Sequence, residues 1–239
     1  MIQVKNISKT FSKKKIIENL SCQIEDNCIY GLVGANGAGK STLLRILVGI
    51  YKKESGSIEV DGEDPFDQPK IKENIVFVPD DLFFYNGYNL LDYAKIYQSL
   101  YPNFDMKTVI EMAKTLKLDL KTPIDNFSKV MKRQCALICA IATNARYLLF
   151  DETFDGLDPV VRNFMKKRLI NQMTKQDTTI IMTSHNLREL EDICDHLGLL
   201  YQGGILFESE IDQLKTNMYK IQISLKKDFV QETFKDIVL

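Results

Sequence analysis

The sequence has no long apolar run: its longest, Ala136 to Ala142, falls far short of the roughly 20 residues that carry a helix across a bilayer. Any link to a membrane is therefore expected to run through a partner. It also lacks a charge excess. Lys plus Arg number 31 and Asp plus Glu 32, which leaves no basic surplus to hold phosphate backbones and argues against a nucleic-acid partner. The start, Met1-Ile2-Gln3-Val4-Lys5, has no charged segment followed by an apolar stretch and a cleavage site, so a cytosolic location is expected. Five cysteines, an odd count at irregular spacing, exclude a regular disulfide framework. A metal site built on Cys135 and Cys139, or on Cys194 and His196, is the lesser reading beside buried thiols acting as small apolar groups. Repeats, low-complexity tracts and flexible linkers are absent.

What the chain does have is 239 residues with 45% apolar content, enough for one sizeable core. Ile- and Val-rich segments predict strands at Ile2 to Ile7, Ile16 to Ile24, Ile29 to Val33, Ser57 to Val60 and Ile75 to Val78. Apolar residues then recur every three or four positions from Leu90 to Leu118, with a break at Pro102-Asn103, which predicts two helices. A third is expected from Lys129 to Thr143, with Ser128 as its cap. Strands at Tyr147 to Phe150 and Thr179 to Thr183 flank a helix over Pro159 to Met173, the rhythm of a parallel sheet. Lys220 to Leu225 alternates like one more strand.

Gly34-Ala35-Asn36-Gly37-Ala38-Gly39-Lys40-Ser41-Thr42 follows a predicted strand and opens an apolar helix. That is the GxxxxGK[ST] phosphate loop in the context it requires: backbone N–H groups close around phosphate oxygens, Lys40 reaches the β and γ phosphates, and Ser41 offers a hydroxyl to Mg²⁺. The strand Tyr147 to Phe150 ends in Asp151-Glu152, two acids at the carboxyl end of a sheet, where ligands of open α/β folds sit. Asp151 suits a metal, Glu152 an attacking water. On its own such a pair is more often a solvated turn; the phosphate loop upstream changes that balance. His185 ends the next strand and is expected near these acids as a γ-phosphate contact.

These motifs, with Asp155-Gly156-Leu157-Asp158-Pro159 and Thr183-Ser184-His185 in this order, resemble the ATP-binding subunit of ABC transporters over nearly the whole chain. The resemblance implies an α/β fold: a P-loop NTPase core with a mostly parallel sheet, an N-terminal antiparallel β subdomain and a helical insert. The corresponding division is 1–80, 81–143 with the insert, 144–215, and a C-terminal extension over 216–239, all within one domain. It further implies ATP and Mg²⁺ as ligands and a second ATP-binding subunit that completes each site. A transmembrane permease would hold the pair at the inner face of the cell membrane. Residue by residue, Phe11 would stack on adenine, although core packing stays open for it. Gly34 to Thr42 would hold the phosphates, Asp151 the metal, Glu152 the catalytic charge, Asp158 the cross-interface contact and His185 the switch.

Three departures stand out. The LSGGQ signature corresponds to Phe127-Ser128-Lys129-Val130-Met131, without either glycine; Ser128 and Lys129 remain to meet the other subunit's γ-phosphate, with Val130 expected to crowd that approach. Asp80 stands where a glutamine usual in the family would approach Mg²⁺, and Thr153 replaces the proline after Glu152. The run from Asp151 to Pro159 and the lysine-containing signature resemble export-type subunits. Phe83, Phe84, Tyr85 and Tyr88 form an aromatic cluster suited either to the permease or to the insert's own core.

Overall fold

The computed structural model describes residues 1–66 and 68–217; the strand expected over Lys220 to Leu225 lies outside the described residues. The first half contains β1 (Ile2–Phe11), β2 (Lys14–Ile24), β3 (Ile29–Val33), α1 (Lys40–Leu47), β4 (Ser55–Val60), α2 (Pro69–Lys72) and β5 (Ile75–Val78). Three helices follow, α3 (Leu90–Leu100), α4 (Met106–Thr115) and α5 (Lys129–Ala142). The second half runs β6 (Tyr147–Asp151), α6 (Pro159–Gln176), β7 (Thr179–Ser184), α7 (Leu187–Glu191), β8 (His196–Tyr201), β9 (Gly204–Glu210) and α8 (Ile211–Asn217).

Two sheets result. The antiparallel one has the order β2-β1-β4, and the larger one β5-β6-β7-β3-β8-β9, parallel except for its last strand. Alternate residues of the central strands enter two different cores, which explains why these strands read as continuous apolar runs. Tyr30, Leu32, Leu149 and Ile181 pack with α1 and the antiparallel sheet, whereas Leu148, Phe150, Ile180 and Met182 pack with the helices. The α/β architecture is the one the resemblance implies. Leu148, with no exposed surface, sits in the middle of β6; truncation to alanine there costs about 2–5 kcal/mol.

Helix ends follow their capping residues. Asn89 and Asp92 form a reciprocal capping box on α3, Asp105 caps α4, and the Ser128 hydroxyl accepts from the Met131 amide on α5, as expected. β1 continues four residues beyond Ile7, because Lys9, Thr10 and Phe11 pair with β2 through Ile17, Lys15 and Lys14; polar residues at a sheet end carry little apolar alternation. The β8–β9 hairpin was not expected. Its turn residues Gln202 (φ 47°) and Gly203 (φ 81°) both lie in the left-handed region, the geometry of a type I′ hairpin.

All five cysteines are free and buried, and burial pushes the Cys135 thiol up to about 12. No cysteine belongs to a potential metal-ligand group among the described residues, so packing accounts for them. The aromatic cluster divides. Phe84 packs against the helical core and Tyr93, while Phe83, Tyr85 and Tyr88 are exposed.

Candidate nucleotide-binding site

β3 delivers the chain into the loop from Gly34, and α1 begins at Lys40. Gly39, with φ 113°, is the residue before α1, and a Cβ there would stand 3.0 Å from the Ile16 carbonyl; only glycine takes this position without strain. The amides at the start of α1 therefore face the space an anion would fill, at the positive end of the helix dipole. A cavity of about 470 Å³ opens there, bounded by Phe11, Lys14, Asn36, Gly37, Gly39 to Thr42, Asp80 and Glu152.

Lys40 is 4% exposed. Its ammonium donates to the Gly34 carbonyl at 2.7 Å and the Ala35 carbonyl at 3.3 Å, and pairs with Glu152 Oε1 at 3.1 Å. Ser41 Oγ donates to Asp151 Oδ1 over 3.0 Å, and Thr183 Oγ1 donates to the same oxygen over 2.9 Å. The other carboxylate oxygen, Oδ2, is buried with no hydrogen-bond partner. Burial pushes the Asp151 carboxyl above its usual range, and the Ser41 and Thr183 hydrogen bonds pull it back. A buried carboxylate oxygen awaiting a partner beside a serine hydroxyl is the oxygen-donor set a hard cation needs, so these residues fit Mg²⁺.

Glu152 adopts φ 49° and is fixed by its amide, which donates to the Thr183 carbonyl and hydroxyl. Its carboxylate lies 3.7 Å from His185 Nδ1, as expected from adjacent strand ends β6 and β7. The imidazole is closer to Asp155 Oδ2, at 3.1 Å. The Asp155 carboxyl is pushed up to about 7, first by burial and then by Glu189, and it accepts from Ser184 Oγ at 3.1 Å.

Phe11 is 39% exposed, stands edge-on to Tyr51 at 5.3 Å and carries the Lys9 ammonium over its ring. It is a wall of the cavity rather than a core residue. Ser128, Lys129 and Asp158 do not line this cavity. Ser128 caps α5, Asp158 accepts from the Val160 and Val161 amides as the cap of α6, and Lys129 lines a neighbouring cleft. Val130 is half-buried and packs against the helical core. Thr153 keeps a structural role: its hydroxyl donates to the Val78 carbonyl, tying β5 to β6.

Sequence reasoning missed four participants: Thr183, Asp155, Lys14 and Arg133. Thr183 and Asp155 lie inside motifs already singled out, one residue from a strand end and three from Glu152. Arg133, which donates to Asp80 Oδ1 at 2.5 Å, has only its place one turn into α5 as a signal.

The sequence model of the ABC transporter family matches residues 17–155, more than half of the chain, and this protein belongs to that family. Within it the chain is an ATP-binding subunit, an ATPase. It is 31% identical over 228 residues to the ABC transporter ATP-binding protein YtrB of Bacillus subtilis, covering 95% of this chain and 78% of YtrB. It is 33% identical to the bacitracin transport ATP-binding protein BcrA of Bacillus licheniformis, covering 90% of this chain and 71% of that one. The lantibiotic transport ATP-binding protein SrtF of Streptococcus pyogenes is 30% identical, with 89% and 92% covered. A solved ATP-binding subunit of an ABC transporter superposes with a TM-score of 0.81 at 23% identity, over 90% of this chain and 92% of that one; at this identity the likeness speaks for the fold.

Proposed function

We propose that this chain works as one of two ATP-binding subunits seated on a transmembrane permease at the inner face of the cell membrane, and that closure of the pair around Mg-ATP drives the transport step. The observation that carries this reading is the convergence of Lys40, Ser41, Asp151, Glu152 and His185 at the ends of three neighbouring strands.

Phe11 receives the base on its exposed face and Gly34 to Thr42 wrap the phosphates. The incoming γ-phosphate takes over Lys40, which releases Glu152 from its ion pair. Glu152 then orients a water for attack, while His185, whose Nδ1 stands 3.1 Å from Asp155 Oδ2, offers Nε2 to the γ-phosphate oxygens. Ser41, Asp151 and Asp80 would hold Mg²⁺, which neutralises charge building up on the phosphates. The amides at the start of α5, with Ser128 and Lys129, are assigned to the nucleotide of the second subunit, and Asp158 to the contact across the interface.

Phe83, Tyr85 and Tyr88 are the surface assigned to the permease. Three neighbouring exposed aromatics suit a helix-receiving groove, and Phe84 anchors them to the core. The similarity to BcrA and SrtF, ATP-binding proteins of bacitracin and lantibiotic transport, supports export as the direction. Lys129 and Val130 in place of the signature glycines support a heteromeric pair with one strong and one weak ATP site. A homodimeric transporter hydrolysing ATP at full, substrate-stimulated rate at both sites would sink that second reading.

The direct test is light scattering on Glu152→Gln protein with and without Mg-ATP, alongside calorimetric ATP binding. A nucleotide-dependent dimer supports the symmetric sandwich. Binding without dimerisation points to a different partner subunit or an obligatory permease; loss of binding overturns the site.

A further inference from the structure

Asp80 occupies an unusual place. It borders the phosphate cavity on one side and, on the other, a cleft of about 290 Å³ shared with Lys129, Lys132 and Arg133. Arg133 Nη2 donates to Asp80 Oδ1 at 2.5 Å, and Arg133 Nη1 donates to the Asp155 carbonyl. The Arg133 side chain is 12% exposed and that of Asp80 51%. One guanidinium on the first turns of α5 thus binds the loop after β5 and the loop after β6 at once. Its Nε is buried without a partner, so these two contacts carry its anchoring.

The charges around the cavity give this pair a consequence. Asp80, Asp151, Glu152 and Asp155 gather at the strand ends, where the nearest buried cation is Lys40. A triphosphate approaching four carboxylates meets repulsion, and Arg133 neutralises the one that faces the cavity from the helical side. A neutral side chain at position 80 would need no such counter-charge, but it would also form no ion pair for a dication to compete with.

We propose that Arg133 is a positioning residue that holds Asp80 back from the metal, so that Mg-ATP must take Asp80 from the guanidinium. The inference rests on the reading of Asp80 as a metal ligand. Two charged groups cannot both keep the same carboxylate oxygen at full strength, because guanidinium and dication repel each other across it.

The test uses the full chain and a fluorescent ATP analogue, titrated once in EDTA and once with increasing Mg²⁺ at fixed nucleotide. Arg133→Gln is expected to lower the Mg²⁺ concentration at half-saturation by about two- to fivefold, the range of a largely solvent-screened ion pair. Asp80→Asn raises it, and in the Asp80→Asn background Arg133→Gln changes nothing further. Arg133→Lys returns part of the wild-type value, since it keeps the charge without the fork. An equal shift with Asn at position 80, or no shift from Arg133→Gln, overturns the latch. A Mg²⁺ titration insensitive to Asp80→Asn removes Asp80 from the metal and the latch with it, whereas failure of the wild type to bind in EDTA would fall on the phosphate loop instead. If Arg133→Gln alone loses EDTA binding through misfolding, the comparison of Arg133→Lys with and without Asp80→Asn decides the same question.

Discussion

Replacing Glu152 with glutamine removes the charge that occupies Lys40, and the structure sets the size of the effect. The ammonium is 4% exposed and the carboxylate 22%, at 3.1 Å, so solvent screens this pair less than a surface one. A charged hydrogen bond of this kind is worth about 1.5–3 kcal/mol. Glutamine keeps a neutral acceptor near Lys40 and retains roughly half of that. ATP, which must displace the side chain from Lys40, therefore gains about 0.8–1.5 kcal/mol on the Gln variant, or about four- to twelvefold in Kd. Loss of the negative charge facing the γ-phosphate acts in the same direction. Calorimetry in EDTA measures this without interference from hydrolysis. Because the gain is electrostatic, it should shrink with added salt, though less than for an exposed pair. Unchanged or weaker ATP binding by Glu152→Gln would refute the displacement of Glu152 from Lys40 on nucleotide entry.

Phe11→Ala should weaken ATP binding by about 1–3 kcal/mol, the worth of one base stacked on an aromatic ring, and Phe11→Tyr should restore it; equal affinity for ATP and inorganic triphosphate in the wild type would contradict stacking. Because the Asp155 carboxyl is raised to about 7, the folded state binds more protons there than the unfolded chain between pH 4 and 7, and stability falls as pH rises through that window. Asp155→Asn, which cannot ionise, should therefore gain stability relative to wild type from pH 4 to pH 7 in denaturant titrations; a difference constant with pH would contradict the shift. Phe84→Ala, cutting an aromatic that packs on the helical core, should lower the melting temperature, whereas Phe83→Ala with Tyr85→Ala should leave folding and ATP binding intact and release the permease in a pull-down. The reverse pattern would exchange their roles.

The parts of the site that could be read from the sequence are those whose chemistry demands contiguous residues. A loop that wraps phosphates with backbone amides needs its glycines, lysine and hydroxyl within nine positions, and the stretch from Gly34 to Thr42 runs from the end of β3 into the first turn of α1 as expected. Asp151-Glu152 and Ser184-His185 were visible because a buried parallel strand is an apolar run and its polar end is abrupt. The cap at Ser128 was local for the same reason.

What tertiary structure alone decided is which distant groups share each charge. The Thr183 hydroxyl on Asp151, Glu152 on Lys40, Asp155 against His185 and Arg133 on Asp80 join residues up to 112 positions apart. None has a period or a fixed spacing to betray it. The same holds for the direction of Phe84 against Phe83 and Tyr85, where neighbouring aromatics of equal hydrophobicity part company because only one faces Tyr93. The end of β1 at Phe11 is likewise a product of pairing with β2, and that pairing is what stands an aromatic ring at the mouth of the phosphate cavity. Local chemistry wrote the motifs into the sequence, whereas long-range packing, which leaves no periodic trace, determined how their charges are held.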